Sequence, residues 1–238
     1  PEAARRQFLR SSAALALALT ASTGLNGMIG TTARAAGLPK PGNAISPDHA
    51  VKRLIEGNQR YVSGVTKRHD FAHERAALAG GQNPYAAILS CADSRVAPEY
   101  AFDSARGDLF VARVAGNFVS DDMLGSLEYA VAVLAVPTIL VLGHEKCGAI
   151  NAAVKAVTEQ TQYPGHIQSL VTTLVPVVKK AGNPSSGLLE AATEQNVRQG
   201  MADLTGKSTI IDKAHQAGAL RIVGGIYRLG TGKVDFLA

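Results

Sequence analysis

The sequence is short of the residues that mark specialised classes of protein. Its 238 residues include no tryptophan and only two cysteines, and aromatic residues make up 5% of the chain. It has no block of five or six like charges and no long low-complexity tract, so it lacks the usual signs of an interaction tail or a disordered segment. What remains is an ordinary globular composition, with a length sufficient to bury a full core. Any thiol chemistry must come from the two cysteines.

Charge and hydropathy exclude two kinds of partner. The formal net charge is +5, and four arginines against one glutamate within residues 1–35 account for +3 of it. The remaining +2, spread over the rest of the chain, is too small a net charge to indicate a nucleic-acid-binding surface. The apolar run from Ala13 to Ala21 is too short and too weakly apolar to span a bilayer stably. We therefore expect neither a nucleic-acid partner nor a stable membrane span.

Residues 1–35 contain the parts of an export signal in the expected order. Arg-Arg-Gln-Phe-Leu-Arg at residues 5–10 is a twin-arginine pattern, and an Ala- and Leu-rich run follows it. Ala-Arg-Ala at residues 33–35 fits the small-x-small cleavage rule. The alternative is an amphipathic or disordered extension. Because three parts of a signal occur in the right order, we expect residues 1–35 to be an export signal and the protein to be periplasmic or otherwise exported. A twin-arginine route carries folded proteins.

The rest of the chain is predicted to be one α/β domain, residues 47–238, preceded by a linker with Pro and Gly at residues 36–46. Apolar runs alternate with helical patterns, which predicts a central, mostly parallel four-stranded sheet with helices on both faces. The predicted strands are 85–90, 108–114, 138–142 and 221–229, and a short fifth, antiparallel strand lies at 233–237. Two helices precede the first strand, one starting at Ser46 and Pro47 and one at 71–78. They form an N-terminal helical arm that could pack on another subunit.

Each cysteine comes just after an apolar run. Cys91 follows the run that ends at Ser90, and Cys147 comes after the run that ends at Leu142, with His144 in between. Ligands of such sheets bind beyond the carboxyl ends of the strands, so we expect these side chains to meet there. Two thiolates and one imidazole suit zinc, and three protein ligands leave a fourth position for water or substrate, as in catalytic sites. A disulfide between the two cysteines is the alternative.

Asp93 and Arg95 follow Cys91 at two-residue spacing. On an extended chain they could share a side, and a bidentate pair with the guanidinium would keep the carboxylate ionised. The carboxylate could then accept a hydrogen bond from zinc-bound hydroxide, which is a nucleophile for a small electrophilic carbon. Two alternatives stay open: Asp93 as the fourth zinc ligand, and an Asx-type turn after the strand.

The two cysteine motifs together resemble one family, the β-class carbonic anhydrases. They are Cys-Ala-Asp-Ser-Arg at residues 91–95 and His-Glu-Lys-Cys-Gly at residues 144–148, and the segment 107–117 is also similar to that family. The resemblance covers the chain from about Ala50 onward. It implies a lyase, a carbonate dehydratase that interconverts carbon dioxide and bicarbonate by attack of zinc-bound hydroxide. The implied roles are one zinc per subunit on Cys91, His144 and Cys147, and Asp93 and Arg95 as the dyad that orients the hydroxide.

The resemblance also implies substrate residues and an assembly. Gln82 matches a substrate-orienting glutamine, Phe110 an apolar pocket residue, and Tyr129 a pocket tyrosine contributed across the interface of a homodimer or higher homo-oligomer with swapped N-terminal helices. Some members let the aspartate bind zinc and use a tryptophan in a bicarbonate pocket. Because this chain has no tryptophan, we expect the open, type I-like form. The alternative functions are hydrolysis of carbon disulfide or carbonyl sulfide, and a non-catalytic exported zinc or disulfide protein.

Overall fold

A computed structural model describes residues 44–182 and 187–237, so the predicted export signal at residues 1–35 lies outside the described residues. The helices in these ranges are α1 (Pro47–Val62), α2 (Phe71–Leu78), α3 (Pro98–Ala101), α4 (Asp121–Ala132), α5 (Gly148–Thr158), α6 (His166–Ala181), α7 (Leu188–Lys207) and α8 (Thr209–Gln216). The strands are β1 (Ala86–Ser90), β2 (Leu109–Arg113), β3 (Thr138–His144), β4 (Arg221–Tyr227) and β5 (Val234–Leu237).

These strands form one sheet in the order β2-β1-β3-β4-β5. The first four are parallel to their neighbours, and β5 pairs with β4 in the antiparallel sense. The predicted four-stranded parallel sheet with a short fifth strand is confirmed. The chain winds from β1 to β2 on one side and returns to β3 on the other, so the winding reverses between β1 and β3. In open α/β sheets, ligands bind at such a reversal, in the crevice outside the carboxyl ends of the strands.

Helices cover both faces of the sheet, as the strand pattern predicts. On one face, side chains such as Leu89 and Val141 are buried against α4, α7 and α8. On the other, Ile88 and Leu140 are buried in a cluster that includes residues of α1 and α3. Both faces of β1 and β3 are thus buried from solvent, which is why these strands are apolar throughout. None of the helices in the described ranges is both long and apolar enough to cross a membrane.

Helix α1 begins as predicted, and its buried face includes Val51 and Leu54. Ser46 caps it by accepting a hydrogen bond from the backbone N–H of His49 at 3.3 Å. Ile55 is 36% exposed, while Asn58 is buried. A Cβ atom at Gly57 would lie 2.0 Å from the carbonyl oxygen of Phe102. Glycine therefore lets α1 approach the end of α3 closely, with Gly57 and Asn58 on the buried face.

The side chain of Asn58 ties α1 to the sheet of its own chain. Its amide nitrogen donates to the carbonyl oxygens of Ala101 at 2.9 Å and Gly232 at 2.8 Å. Its amide oxygen accepts from the backbone N–H of Val234 at 2.8 Å. Nearby, Arg60 of α1 pairs with the buried carboxylate of Asp103 at 2.5 Å. The arm is therefore anchored by polar groups that burial makes costly to leave unpaired.

Strand β3 runs two residues beyond the predicted end at Leu142. Gly143 pairs with Ile226 and His144 with Tyr227 of β4, so the parallel ladder continues to His144. A Cβ atom at Gly143 would lie 2.7 Å from a methyl group of Val197. Glycine therefore allows α7 to pack closely over the strand end. As a result His144 is the last residue of a strand and is fully buried, rather than a residue of the following loop.

Candidate metal centre

Two strand ends and one helix start bring three potential metal ligands together. Cys91 follows β1, His144 ends β3, and Cys147 directly precedes α5. Lys146, with φ at 54°, turns the chain between the last two. One ligand atom from each of the three buried residues lies within 4.8 Å of the others. The set expected from the sequence is therefore assembled at the point where the winding of the sheet reverses.

The two cysteines are free thiols whose Sγ atoms lie 3.9 Å apart. This is well beyond the length of a disulfide bond, about 2.05 Å. Two thiolates bound tetrahedrally to one zinc ion, at about 2.3 Å each, would be separated by roughly 3.8 Å. The spacing therefore fits a shared metal ion and not a covalent bridge.

His144 has one ring nitrogen engaged and one free. Nδ1 lies 2.9 Å from the carbonyl oxygen of Glu145, so Nδ1 carries the proton and donates it. Nε2 is buried and has no hydrogen-bond partner within the described residues. Leaving a buried acceptor unpaired is costly, and a metal ion would satisfy it. A backbone carbonyl that holds the other nitrogen is also the usual support for a zinc-bound histidine, so the three residues fit zinc.

The thiols are arranged to hold negative charge. The hydrogen bond with Cys147 lowers the pKa of the Cys91 thiol to about 4, against the opposing effect of burial. The same hydrogen bond and burial raise the pKa of Cys147. The backbone N–H of Gly116 donates to Sγ of Cys91 at 3.3 Å, which also favours the thiolate there. These hydrogen bonds favour the thiolate at Cys91, and a bound metal ion would also require the thiolate form of Cys147.

Asp93 and Arg95 form the bidentate pair that their spacing predicts. Arg95 donates from Nε to Oδ1 of Asp93 at 2.9 Å and from Nη2 to Oδ2 at 2.7 Å. The backbone N–H of Arg95 also donates to Oδ1, so the Asx-type turn is present as well. These hydrogen bonds hold the pKa of Asp93 far below its usual range. Oδ2 lies 3.9 Å from Nε2 of His144, so an ionised carboxylate stands beside the ligand cluster without belonging to it.

The three predicted substrate residues do not join this cluster within one chain. Gln82 is exposed and precedes β1, whose five residues span about 17 Å, so it lies at the opposite end of that strand from Cys91. Phe110 of β2 pairs with Ala87, near the start of β1. Tyr129 of α4 is 47% exposed, and its ring centroid lies 6.4 Å from that of Phe110. Phe110 and Tyr129 are neighbours, and the substrate roles of all three stay predictions.

Two contributors to the site were not identified from the sequence. One is the backbone N–H of Gly116, which reaches Cys91 because residue 116 lies just past β2 with φ at 85°. The other is Arg113, the last residue of β2, whose guanidinium donates to the carbonyl oxygen of Cys91 and to two carbonyl oxygens of the following turn. A charged residue at the end of an otherwise apolar strand was the available signal for it.

The fold and the site together define a class of protein. A parallel α/β sheet carries a buried Cys₂His centre at its winding reversal, with one free histidine nitrogen and an ionised carboxylate beside it. Three protein ligands with a neighbouring acceptor are typical of a zinc site that activates water.

Comparison with known proteins identifies the family. The family model described as carbonic anhydrase matches residues 86–234, and the chain belongs to the β-class carbonic anhydrase family. Carbonic anhydrase 2 of Mycobacterium tuberculosis is 41% identical over 189 residues, which are 79% of this chain and 91% of that protein. A carbonic anhydrase of Mycolicibacterium smegmatis is 40% identical over 194 residues, covering 80% and 93%. The solved β-carbonic anhydrase of Coccomyxa, in complex with acetazolamide, aligns with a TM-score of 0.61 at 29% identity, covering 80% and 82%.

Proposed function

We propose that this protein is a carbonic anhydrase that catalyses the zinc-dependent, reversible hydration of carbon dioxide to bicarbonate and a proton. The observation that carries this proposal is the buried Nε2 of His144, which has no partner in the described ranges and faces the two thiols of Cys91 and Cys147. Membership of the carbonic anhydrase family supports the choice of substrate.

The residues around the metal position divide the chemistry between them. Cys91, His144 and Cys147 would hold the zinc ion, which when bound supplies the Lewis acidity that makes water a nucleophile near neutral pH. Asp93 is ionised because Arg95 binds both of its oxygens. An ionised carboxylate can only accept hydrogen bonds. Asp93 therefore orients the attacking water by accepting a hydrogen bond from it. We assign the open, type I-like arrangement, in which Asp93 stays on Arg95.

The direct test measures zinc content and carbon dioxide hydration on the same preparation of the full chain. We expect one zinc per chain, loss of hydration after chelation, and recovery when zinc is returned. Full hydration activity in the zinc-free protein would refute the proposal. Release of hydrogen sulfide from carbon disulfide, without carbon dioxide hydration, would instead favour the alternative substrate class.

We also propose that the working unit is a homodimer or a larger homo-oligomer. Gln82 lies at the far end of β1 from Cys91, and Tyr129 stands 47% exposed beside Phe110. In a dimer, these residues of one copy would complete the substrate pocket of the other. Tyr129→Arg should therefore shift the molar mass measured by light scattering toward the monomer and lower hydration activity. Tyr100→Arg, at a tyrosine that is 74% exposed on α3, is the matched control and should change neither.

The first residues of the chain bear on where the protein is located. We propose that residues 1–35 direct export, that 36–46 is a linker, and that residues 47–238 form the catalytic domain. The twin arginines at positions 5 and 6 support this. Residues 1–35 fused to a reporter should send it out of the cytoplasm, and changing both arginines to lysine should retain it. Equal export of both fusions would argue against the twin-arginine route.

A further inference from the structure

We propose that Arg113 is a positioning residue of the metal centre, which holds the turn from Cys91 to Val96 in the geometry that both zinc binding and the Asp93 carboxylate require. The proposal rests on the proposed zinc enzyme and concerns a residue that touches neither substrate nor metal. Arg113 ends β2 and pairs in register with Ser90, the residue just before Cys91. Its side chain therefore starts beside the turn.

The guanidinium of Arg113 binds three carbonyl oxygens of this one turn. Nε donates to Cys91 at 3.0 Å, and Nη2 donates to Asp93 at 2.7 Å and to Val96 at 2.9 Å. These are the carbonyls of a metal ligand, of the carboxylate residue two positions on, and of the residue that closes the turn. One rigid planar group thus spans the whole segment that carries the chemistry.

The charge of Arg113 is committed to these carbonyls. No carboxylate forms an ion pair with it in the part of the chain that the structure describes, and the nearby carboxylate of Asp93 is taken by Arg95. Hydrogen bonds from a charged donor are shorter and about twice as strong as neutral ones. The three bonds therefore hold the turn more firmly than uncharged donors would.

Besides the contacts of Gly116 with Cys91 Sγ and of Arg95 with Asp93, two backbone hydrogen bonds lie in the same turn. The backbone N–H of Val96 donates to the carbonyl of Asp93 at 3.0 Å, and that of Ala92 donates to Val114 at 3.3 Å. Within the described residues, the carbonyl of Cys91 otherwise accepts only from the hydroxyl of Ser90, at 3.4 Å. Without Arg113 the turn would be free to shift, and Cys91 and Asp93 would move with it. Zinc affinity and catalysis should therefore fall together.

The magnitude follows from what supporting groups of metal sites contribute. Loss of a residue that orients a ligand typically costs 10–100-fold in metal affinity or activity. We expect Arg113→Ala to weaken zinc binding by about 10–100-fold. It should lower kcat and change KM little, because the displaced groups act on the reacting water rather than on substrate capture. Arg113→Lys should fall between Arg113→Ala and the unaltered protein, since an ammonium cannot reach all three carbonyls at once.

The experiment compares zinc affinity, by competition with a chromophoric chelator, and steady-state hydration kinetics in four full-length proteins. They are the unaltered chain, Arg113→Ala, Arg113→Lys and the control Arg198→Ala, which removes an exposed arginine from an i, i+4 pair on α7. Melting temperatures of the metal-free proteins are measured alongside. If Arg113→Ala does not fold, Arg113→Lys alone decides the outcome.

The result that supports the proposal is a loss of zinc affinity and kcat in the Arg113 variants that Arg198→Ala does not share. Zinc affinity within twofold of the unaltered chain, or a lower melting temperature with unchanged zinc affinity, would overturn it and leave Arg113 a purely structural residue. The unaltered chain separates this failure from failure of the proposed function. If that chain binds no zinc and hydrates no carbon dioxide, the proposed enzyme itself is wrong.

Discussion

The Sγ atoms of Cys91 and Cys147 lie 3.9 Å apart although 56 residues separate them in the chain. They meet because β1 and β3 are neighbours in the sheet, with Ser90 paired to Leu142 at their carboxyl ends. Each cysteine needs only the few residues after its strand to reach the other. The site is thus a direct product of strand order. Substitutions at single positions can therefore test its chemistry.

The first prediction concerns the thiolates. Cys91→Ser replaces a soft thiolate by a hydroxyl, which is a poor zinc ligand, so zinc content should fall well below one per chain and hydration activity with it. Metal analysis after dialysis, together with stopped-flow hydration, checks both. Ala92→Ser places the same hydroxyl on the adjacent exposed residue and should keep zinc and activity. Retention of stoichiometric zinc by Cys91→Ser would exclude it as a ligand.

The second prediction separates zinc binding from water orientation. Asp93→Asn keeps the size of the side chain but removes the charge that Arg95 holds in place. We expect zinc content to stay near one per chain while kcat falls about 10²–10⁴-fold, the usual contribution of a positioned acid–base group. Asp121→Asn, at an exposed first-turn residue of α4, should leave kcat unchanged. A kcat near that of the unaltered chain would show that Asp93 has no role in the reaction.

The third prediction links acid stability to the α1 anchor. Burial alone would raise the pKa of Asp103. The hydrogen bonds from Arg60 and from the backbone N–H of Lys67 outweigh it and hold that pKa below its ordinary value. A carboxyl group with a lowered folded-state pKa stabilises the fold above its unfolded pKa, about 3.9, and loses that effect as the pH falls through the folded value. Asp103→Asn should therefore cost about 1–3 kcal/mol in the free energy of unfolding at pH 7, and the difference should shrink below about pH 4.

Urea denaturation of the metal-free proteins at several pH values measures this difference. Asp48→Asn is the matched control, because Asp48 also lies on α1 and pairs with Arg221, but its side chain is 79% exposed. An exposed pair contributes little, so this variant should stay within about 0.5 kcal/mol at every pH. A cost for Asp103→Asn that does not change with pH would contradict the assigned cause.

The fourth prediction compares two helix glycines. Gly57→Ala would place a Cβ atom 2.0 Å from the carbonyl oxygen of Phe102, whereas Gly125→Ala on α4 would meet nothing within 4 Å. Alanine is favoured over glycine in a helix interior by about 1 kcal/mol. Gly125→Ala should therefore stabilise the protein slightly, and Gly57→Ala should destabilise it by about 1–3 kcal/mol, since the backbone cannot yield without strain. Thermal unfolding of both variants checks the opposite signs.

Local patterns were enough to predict the elements of the fold. The apolar strands and the cap at Ser46 are set by neighbouring residues, which is why the strand positions and the parallel sheet were predictable. Close approaches between two elements were not predictable, because they depend on a segment far away in the chain. The sequence pattern ended β3 at Leu142, whereas the strand runs to His144, where Gly143 lies close against Val197 of α7.

The sequence by itself determined the chemical identity of the site: two thiols, one imidazole and an acid–base pair, each at or just past the end of a strand. These follow from residue type and spacing, which any fold of this pattern would keep. Only the tertiary structure decided that Nδ1 of His144 is held by a carbonyl and Nε2 is left free. It also decided that Arg113 spans the turn after Cys91. The bonds from Arg113 depend on strand order and register, and the state of Nε2 depends on which side chains the fold brings around it, so neither is written in local spacing.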